Sequence, residues 1–296
     1  MIGHERFIAV DWGTTNRRAW RMGPDGAVED VFEDDAGVAA LPSGAYPSEV
    51  EKLRQRLGDL PMLLGGMVGS NRGWRDVPYV ACPAAVADIA PAIVWMDERT
   101  GIVPGVCQNR ADAPEVMRGE EVQIIGAMAA GGLPADGLVC LPGTHAKWVC
   151  LAGGRIESFA TWMTGEVFAL LGRHSILAPQ IAGKAQSGSG FAAGVAQAQS
   201  GDPLGRLFRL RAGALLGTPI ADGPSYASGL LIGAEVRAAL ASRQGDTPYL
   251  IGRPDLCDLY AAAIAQVQDR PFDAHRQIDG GLAFREGIRA VLKELA

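Results

Sequence analysis

The first strong pattern in the chain is an apolar run that ends in a polar, glycine-containing turn. Residues Phe7 to Val10 read as a buried β-strand, and an alternating strand pattern resumes from Arg18 to Met22. No helical pattern follows the first strand, so it does not fit a Walker A or dinucleotide-binding turn, which places phosphate at a helix N-terminus. The pattern predicts a β-hairpin instead.

The same layout returns about 130 residues later, in "LVCLPGTHAKWVCLAGGRIESFAT". Each copy reads as strand, Gly-Thr turn, strand, tight turn and strand. The predicted strands are Ile8 to Val10, Arg18 to Met22 and Val28 to Phe32 in the first copy, and Leu138 to Leu141, Trp148 to Leu151 and Arg155 to Phe159 in the second. A repeated supersecondary unit is typical of a duplicated domain. We therefore expect two similar domains that face each other, each offering a Gly-Thr turn to a shared cleft.

Helical patterns lie between and after the two hairpins. Segments with helical periodicity are "SEVEKLRQRLG", "EEVQIIGAMAAGGL", "GEVFALLGRHSIL", "ASGLLIGAEVRAALAS" and "LCDLYAAAIAQVQ", with a strand at "PYLIG" and a terminal helix after the turn at residues 279–281. The stretch "AGKAQSGSGFAAGVAQAQSGD" is rich in small and polar residues and is interpreted as a mobile surface loop. Alternating strands and helices predict an α/β fold.

Composition narrows the class of protein. The length of 296 residues suggests roughly two domains, and 48% hydrophobic with 20% charged residues is too apolar for disorder. No apolar run is long enough for a membrane span, and the N-terminus lacks a signal-peptide pattern, so we expect a cytoplasmic protein. The net charge of -6, without a basic stripe, argues against nucleic-acid binding. Five scattered cysteines without a C-x-x-C pair argue against disulfides and zinc.

The turn of the first hairpin has the residue types of a phosphate clamp. Gly13 lets a ligand approach the backbone, Thr14 and Thr15 offer hydroxyl and amide donors, and Asp11 at the strand end suits a hydrated Mg²⁺. An ordinary hairpin with a polar turn remains an alternative for this motif taken alone.

Six motifs along the chain resemble one family. They are "IAVDWGTTNRRAW", "GGMVGSNRGW", "VMRGEEVQIIGA", "LPGTHAKWV", "TWMTGE" and "SGLLIGAEV". In this order and spacing they are similar to the 2-dehydro-3-deoxygalactonokinase family of the actin, hexokinase and sugar-kinase superfamily.

The resemblance implies a fold and an activity. The implied fold is two ribonuclease-H-like domains, each a mixed sheet flanked by helices, with the active site in the interdomain cleft. We place the domains at 1–114, with the first hairpin and the sugar-acid site, and 115–296, with the second hairpin and the adenosine site. The implied reaction is ATP- and Mg²⁺-dependent phosphorylation of the 6-hydroxyl of 2-dehydro-3-deoxy-galactonate. Alternatives are a kinase of the same fold for another sugar acid and a non-catalytic sugar or nucleotide sensor; a homodimer is left open.

The nucleotide and metal sites follow from matching the family's motifs. Asp11 is the Mg²⁺ anchor, through water. The phosphate-binding residues are Gly13, Thr14 and Thr15 in the first turn and Gly143 and Thr144 in the second, with Lys147 and His145 adding positive charge. Gly229, Gly233 and Gly252 are the predicted approaches for adenine. Arg253 departs from the small polar residues of relatives.

The general base is assigned to Glu120, which follows a glycine at the predicted start of a helix. In related sugar kinases an aspartate holds this position, so the longer glutamate is a departure. Glu121 is the alternative, and since neighbouring residues on a helix point roughly 100° apart, only one of the two faces the cleft. Both carboxylates also suit a helix start for electrostatic reasons alone.

A sugar acid needs an arginine for its carboxylate, because the guanidinium binds carboxylate bidentately. The predicted substrate-binding residues are Arg18, Asn71, Arg72, Trp74, Arg118, Thr164 and Glu166. Arg17 is a further candidate beside the first turn, and Trp74 and Trp162 are equally compatible with a place in the core.

Overall fold

The structure, a computed structural model, describes residues 5–42, 44–241, 243 and 245–296. The chain divides into two compact units, the first made of Met1–Asp136, Cys150–Phe159 and Gly280–Ala296, and the second of Gly137–Val149 and Ala160–Asp279. Residue 114, where we place the domain boundary, lies within the first of these units, and the domain boundary stays a prediction.

The strands are short to medium in length. They are β1 (Phe7–Trp12), β2 (Arg17–Met22), β3 (Val28–Asp34), β4 (Met62–Gly66), β5 (Val80–Ala81), β6 (Val94–Asp97), β7 (Thr100–Ile102), β8 (Val106–Gln108), β9 (Glu115–Met117), β10 (Gly137–Leu141), β11 (Ala146–Ala152), β12 (Arg155–Trp162), β13 (Tyr249–Gly252) and β14 (Gln277–Asp279).

The helices lie between and after these strands. They are α1 (Tyr46–Leu57), α2 (Val86–Ile89), α3 (Glu120–Ala129), α4 (Thr164–His174), α5 (Ser189–Gln197), α6 (Pro203–Leu215), α7 (Gly223–Leu240), α8 (Pro254–Gln268) and α9 (Gly280–Glu294). Gly58 ends α1 at a φ of 107°, and the Asp222 side chain accepts a hydrogen bond from Ser225 N at the start of α7. Ser242, at the predicted end of α7, lies outside the described residues.

The two larger sheets share one strand order. The first runs β3-β2-β1-β4-β7-β6 and the second β12-β11-β10-β13-β14, so each begins with its first three strands in the order third, second, first. In both, the first strand pairs in parallel with the next strand along the sheet, β4 or β13. The predicted duplication and the α/β fold class of mixed sheets with flanking helices are therefore confirmed.

The central strand of the first sheet explains why the opening segment is apolar. Residues Phe7 to Val10 are buried, and β1 lies between β2 and β4. A strand covered on both faces reads as a continuous apolar run. Helices α3 and α9 pack against each other in this unit, which brings the C-terminal helix back to the N-terminal part of the chain.

The prediction of a mobile loop over residues 182–202 is wrong. Part of this stretch forms α5, whose Phe191 and Val195 are buried and which packs on α7. A Cβ at Gly194 would lie 2.2 Å from Tyr226 O. The small residues that indicated a loop instead allow two helices to approach closely.

No helix within the described ranges combines the length and apolar character that a bilayer span requires.

Candidate active site

Three backbone segments of the first unit meet beside Asp11. In the parallel pairing of β1 with β4, Asp11 is opposite Gly65 and Trp12 is opposite Gly66. Gly66 has a φ of 88°, and a Cβ there would lie 2.9 Å from Trp12 O. Gly119, with a φ of 104°, approaches so closely that its Cβ would lie 3.2 Å from Gly66 Cα. The two glycines thus let the start of α3 reach the ends of β1 and β4.

Asp11 is a half-buried carboxyl with an altered proton affinity. Burial raises its pKa to about 6, the negative charge of Glu120 adds to the increase, and Arg18 opposes it. Arg18 is the direct cross-strand neighbour of Asp11 in the β1–β2 pair. Two carboxyl groups close enough to influence each other's titration make a site that favours a cation.

Glu120 and Glu121 are the first two residues of α3 and have different surroundings. Glu120 is half-buried, and its Oε2 accepts a hydrogen bond from Arg118 N at 3.0 Å. Glu121 is fully buried, and both of its carboxyl oxygens accept from Gly119 N, at 2.9 and 2.8 Å. Burial, with help from the charge of Glu120, raises the pKa of Glu121 to about 8. Of the two, Glu120 is therefore the accessible carboxyl.

The first Gly-Thr turn accepts hydrogen bonds from a segment that follows β3, which the sequence analysis did not identify. Gly13 O and Thr14 O accept hydrogen bonds from Val38 N and Ala39 N, at 3.0 and 2.9 Å. A Cβ at Gly37 would lie 2.3 Å from the carbonyl carbon of Thr15. Gly37 is thus a positioning residue for the turn, and no motif marked it. Thr14 and Thr15 are exposed, as a ligand-binding turn requires.

The two arginines after this turn are engaged by carboxylates. Arg17 is 2% exposed, pairs with Asp34 at 2.5 Å and Glu49 at 3.0 Å, and stacks over Trp12. That environment makes Arg17 part of the core and does not fit its candidacy for substrate. Arg18 is exposed and pairs with Glu33, its neighbour on β3.

The loop after β4 places Asn71 and Arg72 at the surface, where both are exposed. Trp74 stacks parallel to Tyr46, with ring centroids 6.2 Å apart, and packs against the core of the first unit. The core interpretation of Trp74 therefore has direct structural support.

Arg118 is buried beside the base candidate. Its Nη2 donates to Val77 O at 2.8 Å, and its guanidinium lies over the Tyr79 ring, 4.3 Å from the centroid. Its Nε and Nη1 are buried and have no hydrogen-bond partner among the described residues. Unpaired buried donors are costly, so this guanidinium is well matched to an anionic acceptor.

The second Gly-Thr turn is supported by the start of α4. Glu166 N donates to Thr144 O at 3.0 Å, and His145 Nε2 lies 2.5 Å from Glu166 Oε2. A Cβ at Gly165 would lie 2.4 Å from Gly143 O. Gly165, which sequence reasoning passed over inside "TWMTGE", packs against the turn as Gly37 does in the first unit. Thr144 is exposed.

Two polar residues predicted for ligands face the interior of the second unit. Lys147 is 6% exposed, and its Nζ donates to Thr161 Oγ1 at 2.9 Å, which does not fit a charge offered to phosphate. Thr164 donates a hydrogen bond to the buried Glu235, which also accepts from Trp148 Nε1 at 2.7 Å. Burial raises the pKa of Glu235. Lys147 and Thr164 thus belong to internal networks.

Trp162 packs against the same network. Its ring lies edge-on to Trp148, with centroids 6.2 Å apart.

The predicted adenine-binding glycines have two different environments. A Cβ at Gly229 would lie 2.1 Å from Phe191 O, and one at Gly233 would lie 2.9 Å from Val195 Cα, so helix α5 covers both. An adenine lying on these two residues does not fit this packing. Gly252, at the end of β13, is less crowded: its Cβ would lie 3.6 Å from Pro142 O, beside the second turn. The neighbouring Arg253 is exposed and pairs with Asp255 at 2.7 Å.

Within the described part of the chain, no group of three or more His, Cys, Asp or Glu side chains is arranged to hold a metal. A Mg²⁺ ion bound by one or two carboxylates together with nucleotide phosphates needs no such group.

Comparisons with known proteins agree on one family. A family model described as 2-keto-3-deoxy-galactonokinase matches residues 11–291. A relative from Rhizobium meliloti (strain 1021), named "Probable 2-dehydro-3-deoxygalactonokinase DgoK1", is 38% identical over 292 residues, with 94% of this chain and 95% of the relative covered. The "2-dehydro-3-deoxygalactonokinase" of Escherichia coli (strain K12) is 36% identical over 299 residues, covering 98% and 99%.

A solved structure gives the same result. It is described as "Crystal structure of a putative 2-dehydro-3-deoxygalactonokinase protein from Sinorhizobium meliloti", and it matches with a TM-score of 0.87 and 35% identity, covering 98% of this chain and 99% of that one.

Proposed function

The chain belongs to the 2-keto-3-deoxy-galactonokinase family, a family of sugar kinases of galactonate catabolism, and from this membership we propose the reaction that the protein catalyses. It transfers the γ-phosphoryl group of ATP to the 6-hydroxyl of 2-dehydro-3-deoxy-D-galactonate. The hydroxyl oxygen forms a bond to the γ-phosphorus, the bond from that phosphorus to the bridging oxygen breaks, and ADP leaves. The observation that carries the proposal is the match over residues 11–291, which includes every candidate site residue.

We assign the metal to Asp11. Its carboxyl is half-buried at a strand end, its proton affinity is raised by burial and by the charge of Glu120, and a divalent cation neutralises both charges. A Mg²⁺ ion held there would supply positive charge to offset the negative charge that develops on the phosphoryl group during transfer. Asp11 holds it through water, since Mg²⁺ keeps several of its waters.

We assign the general base to Glu120. It takes the proton of the attacking 6-hydroxyl, and the hydrogen bond from Arg118 N orients its carboxylate. Support for Glu120 over Glu121 comes from burial: a fully buried carboxyl that accepts two hydrogen bonds from Gly119 N cannot reach a substrate.

The phosphate contacts are assigned to the two turns. Gly13, Thr14 and Thr15 in the first and Gly143 and Thr144 in the second offer backbone and hydroxyl donors, and each turn is held by a close-packed glycine in the neighbouring segment. Gly252 beside the second turn is the favoured approach for adenosine. The location of the active site in a cleft between the domains stays a prediction.

For the substrate carboxylate we favour Arg118 over Arg72 and Arg18. Arg118 lies two residues from the base, and its buried Nε and Nη1, which have no partner among the described residues, would be satisfied by a substrate carboxylate. Arg72 and Asn71 are exposed and suit contacts with hydroxyls, as does Glu166 once it leaves His145.

The test is a coupled assay of ADP release with Mg·ATP. We expect turnover with 2-dehydro-3-deoxy-D-galactonate and far lower kcat/KM with glucose and glycerol, because neither has a carboxylate. The 2-dehydro-3-deoxy-D-gluconate epimer tests the rival reading of a kinase for another sugar acid. A higher kcat/KM with the epimer would favour a kinase for another sugar acid. Binding of a sugar acid without turnover of any of these compounds would favour a non-catalytic sensor.

A further inference from the structure

The second unit contains a cavity away from its Gly-Thr turn. The cavity has a volume of about 480 Å³ and lies between the C-terminal ends of α7 and α8. Three arginines, Arg237, Arg243 and Arg270, line it together with aliphatic Leu240 and Val267. The positive lining beside an apolar wall distinguishes this cavity from an ordinary packing defect.

Of the three arginines, Arg237 has the most unusual surroundings. Its Nε and Nη2 are buried and have no hydrogen-bond partner among the described residues. Burial lowers the pKa of its guanidinium, and no carboxylate pairs with it among the residues that the structure describes. A guanidinium in this state lacks both an acceptor and a counter-ion, and an anion supplies both.

Arg270 adds positive charge to the cavity. Arg270 donates to Gly245 O at 2.8 Å, to Thr247 Oγ1 at 2.5 Å and to Gln268 Oε1 at 3.2 Å, which are all neutral acceptors. Arg243, which also lines the cavity, lies 3.9 Å from Asp246 in a half-exposed pair.

The cavity is remote from the predicted nucleotide site within this unit. Helix α8 starts at Pro254, just after Gly252, and ends at Gln268 by the cavity. A helix of 15 residues is about 22 Å long. A ligand in the cavity is thus separate from one at the second turn.

A simpler explanation is that the arginines stabilise the negative ends of two helix dipoles. That explains why cations lie here, but it leaves the Arg237 N–H groups unpaired and does not require a cavity.

We propose that this cavity binds a small organic anion. Its carboxylate or phosphate group accepts hydrogen bonds from Arg270 and from Arg237, whose guanidinium turns into the cavity, and its aliphatic part packs on Leu240 and Val267. The site is independent of the phosphoryl-transfer residues.

Titration calorimetry on the full chain tests this at constant ionic strength. A saturating non-hydrolysable ATP analogue occupies the phosphate turns during the titration. The probes are butyrate and butyl phosphate, with acetate and inorganic phosphate as their short counterparts. Each buried methylene contributes roughly a fourfold gain in affinity, so we expect the butyl compounds to bind at least about fivefold more tightly. Comparing the two butyl compounds shows which head group the site prefers.

Variants locate the binding. Arg237→Gln should raise the Kd of the tighter butyl probe at least about tenfold, whereas Arg173→Gln, an exposed arginine of the same unit, should leave it unchanged. If Arg237→Gln fails to fold by circular dichroism, Arg270→Gln replaces it. No saturable heat with the wild type, or an unchanged Kd in the folded cavity variant, overturns the proposal. The kinase assay reports the proposed function separately, because Arg237 and Arg270 have no assigned role in it.

Discussion

Gly119 packs against Gly66 so closely that a Cβ on Gly119 would lie 3.2 Å from Gly66 Cα. This contact brings the first residue of α3 to the end of β1, where the charge of Glu120 contributes to the raised pKa of Asp11. The two glycines therefore determine the placement of the two carboxylates to which we assign the chemistry.

Replacing Gly119 with alanine should disturb that placement. Its φ of 104° is strained for alanine, and the added methyl group crowds Gly66. We expect kcat to fall by at least about tenfold, since misplacement of a catalytic group by about 1 Å is that costly. Gly131→Ala is the matched control: it follows the other end of α3, has a φ of 73° and has open space around its Cβ. It should lose roughly 1 kcal/mol of stability from strain and keep its kcat. Equal kcat in both variants would contradict the positioning role.

Glu120→Gln should leave both substrates bound and lower kcat by about 10² to 10⁴, the usual contribution of a general base. Glu121→Gln should stay within about tenfold of wild-type kcat, because Glu121 is fully buried. Steady-state kinetics with the sugar acid and ATP measure both. If the effects are exchanged, the base is Glu121; if neither exceeds tenfold in folded protein, transfer relies on positioning and charge neutralisation.

The Mg²⁺ requirement should depend on pH through Asp11. The pKa of Asp11 is about 6, so the carboxyl is mostly ionised at pH 7.5 and protonated below pH 6, where protons compete with the metal. We expect the Mg²⁺ concentration for half-maximal rate to rise by up to about tenfold per pH unit below 6. Asp11→Asn should need more Mg²⁺ at pH 7.5, recover part of its rate at high Mg²⁺, and show a weaker pH dependence than wild type, the remainder coming from protonation of the terminal phosphate of ATP. A wild-type Mg²⁺ requirement that is flat from pH 5 to 7.5 would remove Asp11 from the metal site.

Glu121 should make the protein less stable as the pH rises from about 4.5 to 8. Its pKa is about 8 in the folded chain against 4.5 for an ordinary glutamate, so in this window the unfolded chain ionises while the folded chain keeps the proton. Glu121→Gln is always neutral and should be more stable than wild type at pH 8, by about 1 to 3 kcal/mol, with little difference at pH 4.5. Urea unfolding at the two pH values measures this. A difference that does not change with pH would mean that Glu121 is ionised in the folded state.

Gly229→Ala distinguishes helix packing from adenine binding. The new methyl group would lie 2.1 Å from Phe191 O, so we expect a loss of stability of about 1 to 3 kcal/mol and a KM for ATP that changes little. Gly172→Ala in α4 meets open space and should be neutral or stabilising by roughly 0.5 to 1 kcal/mol. A raised KM for ATP with unchanged stability in Gly229→Ala would restore the adenine assignment.

Local sequence patterns are sufficient to predict several elements of the fold. The buried run from Phe7 to Val10, the two Gly-Thr hairpins and the helix that ends at Gly58 were all predictable, because strand burial, turns and helix ends are encoded in adjacent residues. Their repetition indicated the duplicated fold, and six motifs in order indicated the family.

The accessibility of each side chain depends on packing between elements, which local patterns do not reveal. Glu120 and Glu121 differ by one position, yet Glu120 is half-buried and Glu121 is completely buried, with both of its carboxyl oxygens accepting from Gly119 N. Their motifs predicted that Lys147 and Thr164 contact ligands. In the structure, Lys147 instead donates a hydrogen bond to Thr161 in the next strand, and Thr164 donates one to Glu235, which is distant in sequence.

The role of small residues also depended on packing between distant segments. Residues 182–202 were predicted to form a loop, and the glycines of α7 were predicted to form an adenine-binding surface. In the structure, α5 within that stretch and the glycines of α7 form the two sides of one helix–helix contact. Glycine permits turns, ligand contact and close helix approach alike, so its local sequence does not choose among them. The role of a glycine is determined by the element that packs against it, and for Gly229 that element is α5.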